Sequence, residues 1–303
     1  MGGRCAYSGR IVLLSAQPES NRTFALIGPG RAGTTIALAL LDCGWDAVAV
    51  AGRAPDAAST TAAAAVLDTQ TSLVSEVARG AQLVVIATPD RSIEQTAAAA
   101  APAMESDALV VHLAGSRGLD AFDALVTTRA DVRIGALHPL QSFPSTTAGV
   151  DRLAGAWAAV AGDPHVGEIA REIGLRPFEL PDAERVRYHA AAVVASNHLV
   201  ALLGQVERLA ATCTVPFEAF WPLVQSSVEN AFTVGPADAL TGPVERGDLA
   251  TVERHLLALD PAERDAYRAL AREAARLTGR RDTGLDRLLG DVAPPRRRPS
   301  TDD

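Results

Sequence analysis

Residues 24–38 read FALIGPGRAGTTIAL: an apolar run, a glycine-rich turn, and a second apolar run at helical spacing. The turn, Gly28-Pro29-Gly30-Arg31-Ala32-Gly33, has the pattern G-x-G-x-x-G. Set between a strand and a helix, each glycine has a mechanical reason. Gly28 permits the tight turn, Gly30 lets a pyrophosphate approach the backbone, and Gly33 lets helix and strand pack closely. The helix N-terminus then offers its free N–H groups to phosphate. These six residues are expected to cradle a dinucleotide.

Working outward, short apolar runs at 23–27, 47–51, 83–88, 109–113, 134–137 and 157–161 alternate with helical stretches, each run bounded by Gly, Pro, Asp or Ser. That alternation predicts βαβ units and a parallel sheet covered on both faces over residues 22–181. Beyond Pro181 the pattern is helical alone, at 182–212, 218–232, 248–259 and 261–277, which predicts an all-α second domain over 182–290. Residues 1–21 read as a loose leader and 291–303 as a disordered tail.

Composition removes several classes of function. The net charge of −8 argues against a nucleic-acid partner. With 21% charged residues and no apolar run judged to approach ~18 residues, a membrane span is not expected. The three cysteines are far apart and form no metal-spaced cluster, which favours a reducing, cytoplasmic setting without a metal site. All 28 basic residues are arginine, so lysine-based Schiff-base or acid–base chemistry is excluded.

The end of the second strand should choose the dinucleotide. An acidic residue there would hold the adenosine ribose of NAD, but the chain has Gly52-Arg53, and an arginine suits the 2′-phosphate of NADP. Thr88, Pro89 and Asp90 close the strand after Leu83, His112 and Ser116 lie at the end of the next, and His138 at the end of the one after. Three successive strand ends carrying polar residues predict a lined cleft at the carboxyl edge of the sheet, with Thr88, Pro89, Asp90 and His112 on the cofactor side.

The segments Gly28–Gly33, LHPLQSF (137–143), YHAAAVVASN (188–197) and ALTGPVERGD (239–248) resemble, over nearly the full chain, the Rossmann-like proteins that carry a DUF2520 domain. That family is in turn similar to ketopantoate reductases and to the 6-phosphogluconate dehydrogenase superfamily. The resemblance implies a Rossmann domain before a helical substrate and dimerisation domain. In the ketopantoate reductase register, His189 falls where a catalytic lysine stands, Val193 where a first asparagine stands, and Asn197 where a second does. Ala114 replaces an expected serine.

On an ideal α-helix His189, Ser196 and Asn197 can share one cleft. Asp248 reads as the cap of a helix, while Thr241 and Arg246 before it have no such local role, and Arg246 suits a carboxylate. The expected function is an NADPH-dependent reductase of a small carbonyl compound, which the resemblance implies to be a 2-oxo acid of ketopantoate type, acting as a homodimer. His189 is the expected proton donor, with His138, Ser196, Asn197, Thr241 and Arg246 around it. The alternatives are an imine reductase, a deazaflavin-linked oxidoreductase, and a non-catalytic dinucleotide-binding regulator.

Overall fold

The computed structural model describes residues 22–143, 149–279 and 282–290. The leader and tail expected at 1–21 and 291–303 lie outside the described residues. The first strands and helices are β1 (Thr23–Ile27), α1 (Arg31–Asp42), β2 (Asp46–Ala51), α2 (Ala58–Val66), β3 (Gln70–Thr71), β4 (Leu83–Ile86), α3 (Ile93–Ala100), β5 (Leu109–His112) and α4 (Asp123–Thr128). Then come β6 (Arg133–Pro139), β7 (Trp157–Gly162), α5 (His165–Glu172), β8 (Arg176–Glu179) and α6 (Arg185–Val193).

The strands form one sheet in the order β3-β2-β1-β4-β5-β6-β7-β8. The first six strands follow the doubly wound order, with the switch point between β1 and β4, where ligands of open α/β sheets bind. Residues alternate across it as strand geometry requires. Phe24, Leu26, Val85 and Val111 pack with Ile36 and Leu40 of α1 and Ile169 of α5 on one face. Ala25, Ile27, Val84 and Val110 pack with Ile93 and Ala97 of α3 and Leu125 of α4 on the other.

Two expectations for the sheet need correction. It is not wholly parallel: β7 runs antiparallel to β6. The apolar pattern of 157–161 is the same in either direction, and only the route of the intervening chain sets it. The sheet also has two strands not expected, the two-residue β3 and β8. β8 reads RPFE, with a proline and two charges, which an edge strand tolerates and an interior strand does not.

The chain divides into two compact units between His198 and Leu199, later than the expected boundary at Pro181. The start of the long helix belongs with the sheet because Asp182 accepts the Leu119 N–H at 2.8 Å and the Tyr188 ring meets Phe178 edge-on. A π-helical turn, Val194–His198, follows α6. The whole helix, Asp182–Thr212, is long and apolar enough by length and composition to cross a membrane, which corrects the expectation that no such run exists. His189, Ser196, Asn197, His198 and Gln205 break the apolar run without adding fixed charge.

The second unit contains α7 (Leu199–Thr212), α8 (Trp221–Val234), α9 (Pro236–Ala239), α10 (Pro243–Arg246), α11 (Leu249–Ala258), α12 (Pro261–Leu277) and α13 (Thr283–Leu289). Its core is small: Val244, Val252, Leu256, Ala271, Leu285 and Leu289. Gln205 and Arg208 of α7 bind Glu263 at the start of α12. Asp248 caps α11 as expected, accepting the Thr251 N–H at 3.0 Å.

Candidate active site

The glycine loop has the geometry its pattern predicts. Gly28 has φ of +90°, and a Cβ there would stand 2.7 Å from the backbone of Ala87 and Thr88. A Cβ on Gly33 would stand 2.7 Å from the Gly28 carbonyl oxygen. A Cβ on Gly30 would meet nothing within 4 Å, so this glycine faces open space while the other two are needed for packing. Arg31 and Ala32 form the first turn of α1, which has no acidic residue to repel phosphate.

Two buried hydroxyls beside this loop, Thr34 Oγ1 and Thr88 Oγ1, have no hydrogen-bond partner. Buried hydroxyls without partners are uncommon, and a dinucleotide whose phosphates accept from such groups fits the set. Arg53 is exposed just beyond β2, with no hydrogen bond or ion pair among the described residues. A cleft of about 500 Å³ bordered by Arg22, Trp45, Glu105, Arg133 and Glu172 opens at the start of the strands. That is the edge opposite the glycine loop, and ligands of open α/β sheets bind at the carboxyl edge, which is therefore the better candidate.

From the glycine loop the site continues along the carboxyl edge. Thr88 leads through Pro89 to Asp90, whose carboxylate accepts the Ser116 hydroxyl at 2.5 Å, tying the β4 loop to the β5 loop. His112 takes a different part from the one expected. It is fully buried and donates from Nε2 to the Gly118 carbonyl at 3.1 Å, while its Nδ1 accepts the Ala114 N–H at 3.2 Å. With both nitrogens engaged, His112 shapes the loop instead of touching a cofactor. Burial pushes its pKa down to about 4, so the ring is neutral.

Gly115 in that loop is where distant segments meet. A Cβ on it would lie 2.3 Å from His189 Nδ1 and 2.7 Å from His138 Nε2, so only glycine lets the two imidazoles close over the loop. Their rings are 5.5 Å apart, edge to face. His138 Nδ1 is 2.8 Å from the Tyr188 hydroxyl. Burial, followed by the neighbouring His189 and Arg185, pushes His138 down to about 4. Burial pushes Tyr188 up to about 12, so the phenol keeps its proton and can donate it to His138 Nδ1, which leaves Nε2 as the N–H. His189 Nδ1 is buried and unpartnered.

The helical register expected for Ser196 and Asn197 is not kept. The π-helical turn breaks the α-helical register on which the alignment of Ser196 and Asn197 with His189 rested. Ser196 Oγ instead donates to Asn197 Oδ1 at 2.9 Å. In the helical unit Thr241 and Arg246 are exposed, and the Asp248 carboxyl is held below the usual range by its hydrogen bonds with Thr251 first, with Arg254 and then Arg246 adding to it. Sequence reasoning left out Arg185 and Gly115 as site residues, and held Tyr188 only as a lesser candidate for the proton donor. The spacing of Arg185 and His189 by one helical turn was the available signal.

Residues 23–115 match the family model described as NADP oxidoreductase, coenzyme F420-dependent. Residues 158–274 match DUF2520, a domain of unknown function. The class follows from glycine loop and matches together: the chain is an NADP-dependent oxidoreductase. More particularly, it joins a Rossmann-like sheet unit to a DUF2520 segment, as the resemblance implied.

Three solved structures share the fold. One, from Bacteroides fragilis and described as an NADP oxidoreductase, is 24% identical with a TM-score of 0.74, covering 84% of this chain and 98% of that one. A Thermotoga maritima protein is 24% identical with a TM-score of 0.60, covering 88% and 98%. An imine reductase from Myxococcus stipitatus, in complex with NADP+, is 18% identical with a TM-score of 0.59, covering 89% and 100%. No curated protein matches the sequence.

Proposed function

We propose that the protein is an NADPH-dependent reductase of a small carbonyl compound, of 2-oxo acid type, with reduction of an imine as the second reading. The observation that carries the proposal is the convergence of His138 and His189 over Gly115, next to the loop that Ser116 and Asp90 tie to the strand end beside Gly28. When bound, NADPH supplies a hydride. Gly28 to Gly33 hold its phosphates, with Thr34 and Thr88 as donors and Arg53 at the 2′-phosphate, while Pro89, Asp90 and His112 shape the wall beside it.

Reduction of a carbonyl builds negative charge on oxygen, and a positioned acid lowers that barrier by about 10²- to 10⁴-fold. His189 is the proton donor, through the unpartnered Nδ1. Neutral His138, oriented by Tyr188, presents its Nε2–H to the same atom. The imine reading is supported by the likeness in fold to an imine reductase, and hydride exchange with a deazaflavin by the match of residues 23–115 to a coenzyme F420-dependent family. Free thiols at Cys43 and Cys213 agree with a cytoplasmic setting.

A second copy of the chain completes the helical unit. Nothing in α8 is buried, and Trp221, Leu223 and Phe232 are exposed, Phe232 at 91%. The test of the reaction is NADPH consumption across 2-oxo acids, cyclic imines and a deazaflavin. His189→Ala and His189→Gln should then lower the rate by about 10²- to 10⁴-fold with NADPH affinity intact. A rate within about threefold of wild type transfers the role to His138, and NADPH binding without turnover of any probe favours a regulator.

A further inference from the structure

Arg185 opens α6, and its side chain is fully buried. Only one of its nitrogens is served. Nε donates to Asp182 Oδ1 at 3.1 Å, while Nη1 and Nη2 have no partner. Taking a guanidinium out of water is costly unless its donors and its charge are matched. Asp182 is a poor match alone: its side chain is 43% exposed, and its other oxygen already accepts the Leu119 N–H.

Among the described residues no second carboxylate pairs with the fork. The charge of Arg185 reaches His112, His138 and Tyr188, none of which carries negative charge here. Asp90, the other acid near these histidines, accepts from Ser116. Four residues along the helix, and so on the same face, stands His189, whose Nδ1 is also buried and unpartnered. Three buried, unpartnered nitrogens therefore lie on one helix face, two of them donors of the positively charged guanidinium.

We propose that Arg185 is the anion-binding residue of this site, its Nη1 and Nη2 taking the two oxygens of a substrate carboxylate. With Nε held by Asp182, the edge left free is the Nη1–Nη2 edge, which matches a carboxylate in fork geometry. The substrate class is then a small carboxylic acid whose carbonyl or imine carbon lies close to the carboxylate, as in 2-oxo and 2-imino acids, so that one end pairs with Arg185 and the other meets His189 and His138. Full burial of the guanidinium limits the anion to a small one that gives up its water. Arg185, not the exposed Arg246, has this part. The inference rests on the reductase reading above and adds the recognised group to it.

The probe is oxalate, titrated by calorimetry into the NADPH-saturated protein. Wild type should bind it, Arg185→Met should weaken binding at least tenfold, Arg185→Lys should fall between because it keeps the charge without the fork, and Arg246→Ala should not change it. NADPH affinity should stay within about twofold throughout. Arg185→Met should also unfold at the same temperature as wild type or higher, because it removes a half-paired buried charge. An arginine with a purely structural part would give a lower temperature. Wild type that binds NADPH but takes up no oxalate, or Arg185→Met that binds oxalate as wild type does, overturns the inference. If Arg185→Met does not fold, unchanged oxalate affinity in Arg185→Lys overturns it. Failure of the reductase reading is separate and shows as wild type that does not bind NADPH.

Discussion

The sheet unit and the helical unit are built from similarly apolar sequence but reach different degrees of completion. In the sheet unit β1, β4 and β5 are buried at every position or nearly so, with helices closing both faces. In the helical unit six hydrophobic side chains form the buried cluster among the described residues, and α8 leaves Trp221, Leu223 and Phe232 in the open. Periodicity in a sequence states which face of an element is apolar. It does not state whether the covering surface comes from the same chain.

The sheet unit should therefore be the unit that point changes damage most. Gly28→Ala adds a Cβ 2.7 Å from backbone atoms at a position with φ of +90°. Positive φ costs about 1–2 kcal/mol for a residue with a Cβ, and overpacking adds about 1–3 kcal/mol. A fall of about 2–5 kcal/mol in urea unfolding is expected. Gly30→Ala, where the added Cβ meets nothing, should leave stability within about 0.5 kcal/mol of wild type and weaken NADPH alone. Equal destabilisation by the two would show that the loop is not divided into packing and ligand-facing glycines.

Acid should be the next largest lever, again on the sheet unit. His112 titrates at about 4 when folded, against an unfolded value near 6.5, so between these values the unfolded chain holds the extra proton. Stability is present above pH ~6.5 and is lost as pH falls toward 4, by about 3 kcal/mol for this group. His138, with the same direction and more access to solvent, adds less. Urea midpoints followed by Trp45 and Trp157 from pH 7.5 to 4.5 should fall accordingly, and His112→Asn should flatten the curve. An unchanged slope in that variant would place the acid sensitivity elsewhere.

The cofactor prediction is smaller and selective. Arg53→Ala removes one charge-assisted contact with a 2′-phosphate, so NADPH affinity should fall by about 1.5–3 kcal/mol while NADH affinity holds. Equal losses for both, or none, would remove Arg53 from the site.

What could be read from the sequence divides along the same line of local against distant causes. The glycine loop was legible because strand, turn and helix are contiguous, and β1, β2, β4 and β5 because each is a short apolar run with polar punctuation. The direction of β7 and the existence of β8 were not, since pairing partners and edge position depend on the rest of the sheet. In the site, His138 was legible as a polar residue at a strand end, and His189 through the register that the family resemblance supplied. Gly115 has meaning only once two imidazoles arrive from other segments. Arg185 looked like one arginine among 28 because a vacant guanidinium edge is a property of packing. The π-helical turn at Val194–His198 likewise has no signal in periodicity, which counts α-helical turns.

The last prediction has the smallest effect within one chain and bears most directly on the contrast between the units. Leu223 on α8 is 62% exposed, so Leu223→Glu loses little burial inside the protomer, and its unfolding should shift by no more than about 0.5 kcal/mol. If a second copy covers α8, the same change places a carboxylate against apolar surface, where an unpaired charge is strongly disfavoured. Obligate interfaces of this kind bury about 2,000 Å² or more, and one central charge is enough to weaken them severely. Sedimentation at low micromolar concentration should give twice 31.5 kDa for wild type and a large monomer fraction for Leu223→Glu. A wild-type monomer would mean that the helical unit keeps its apolar face in water or covers it by a partner of another kind. A Leu223→Glu dimer would move the interface off α8 and onto the exposed length of the helix Asp182–Thr212, where Val200 is 68% exposed and Val200→Glu is the corresponding change.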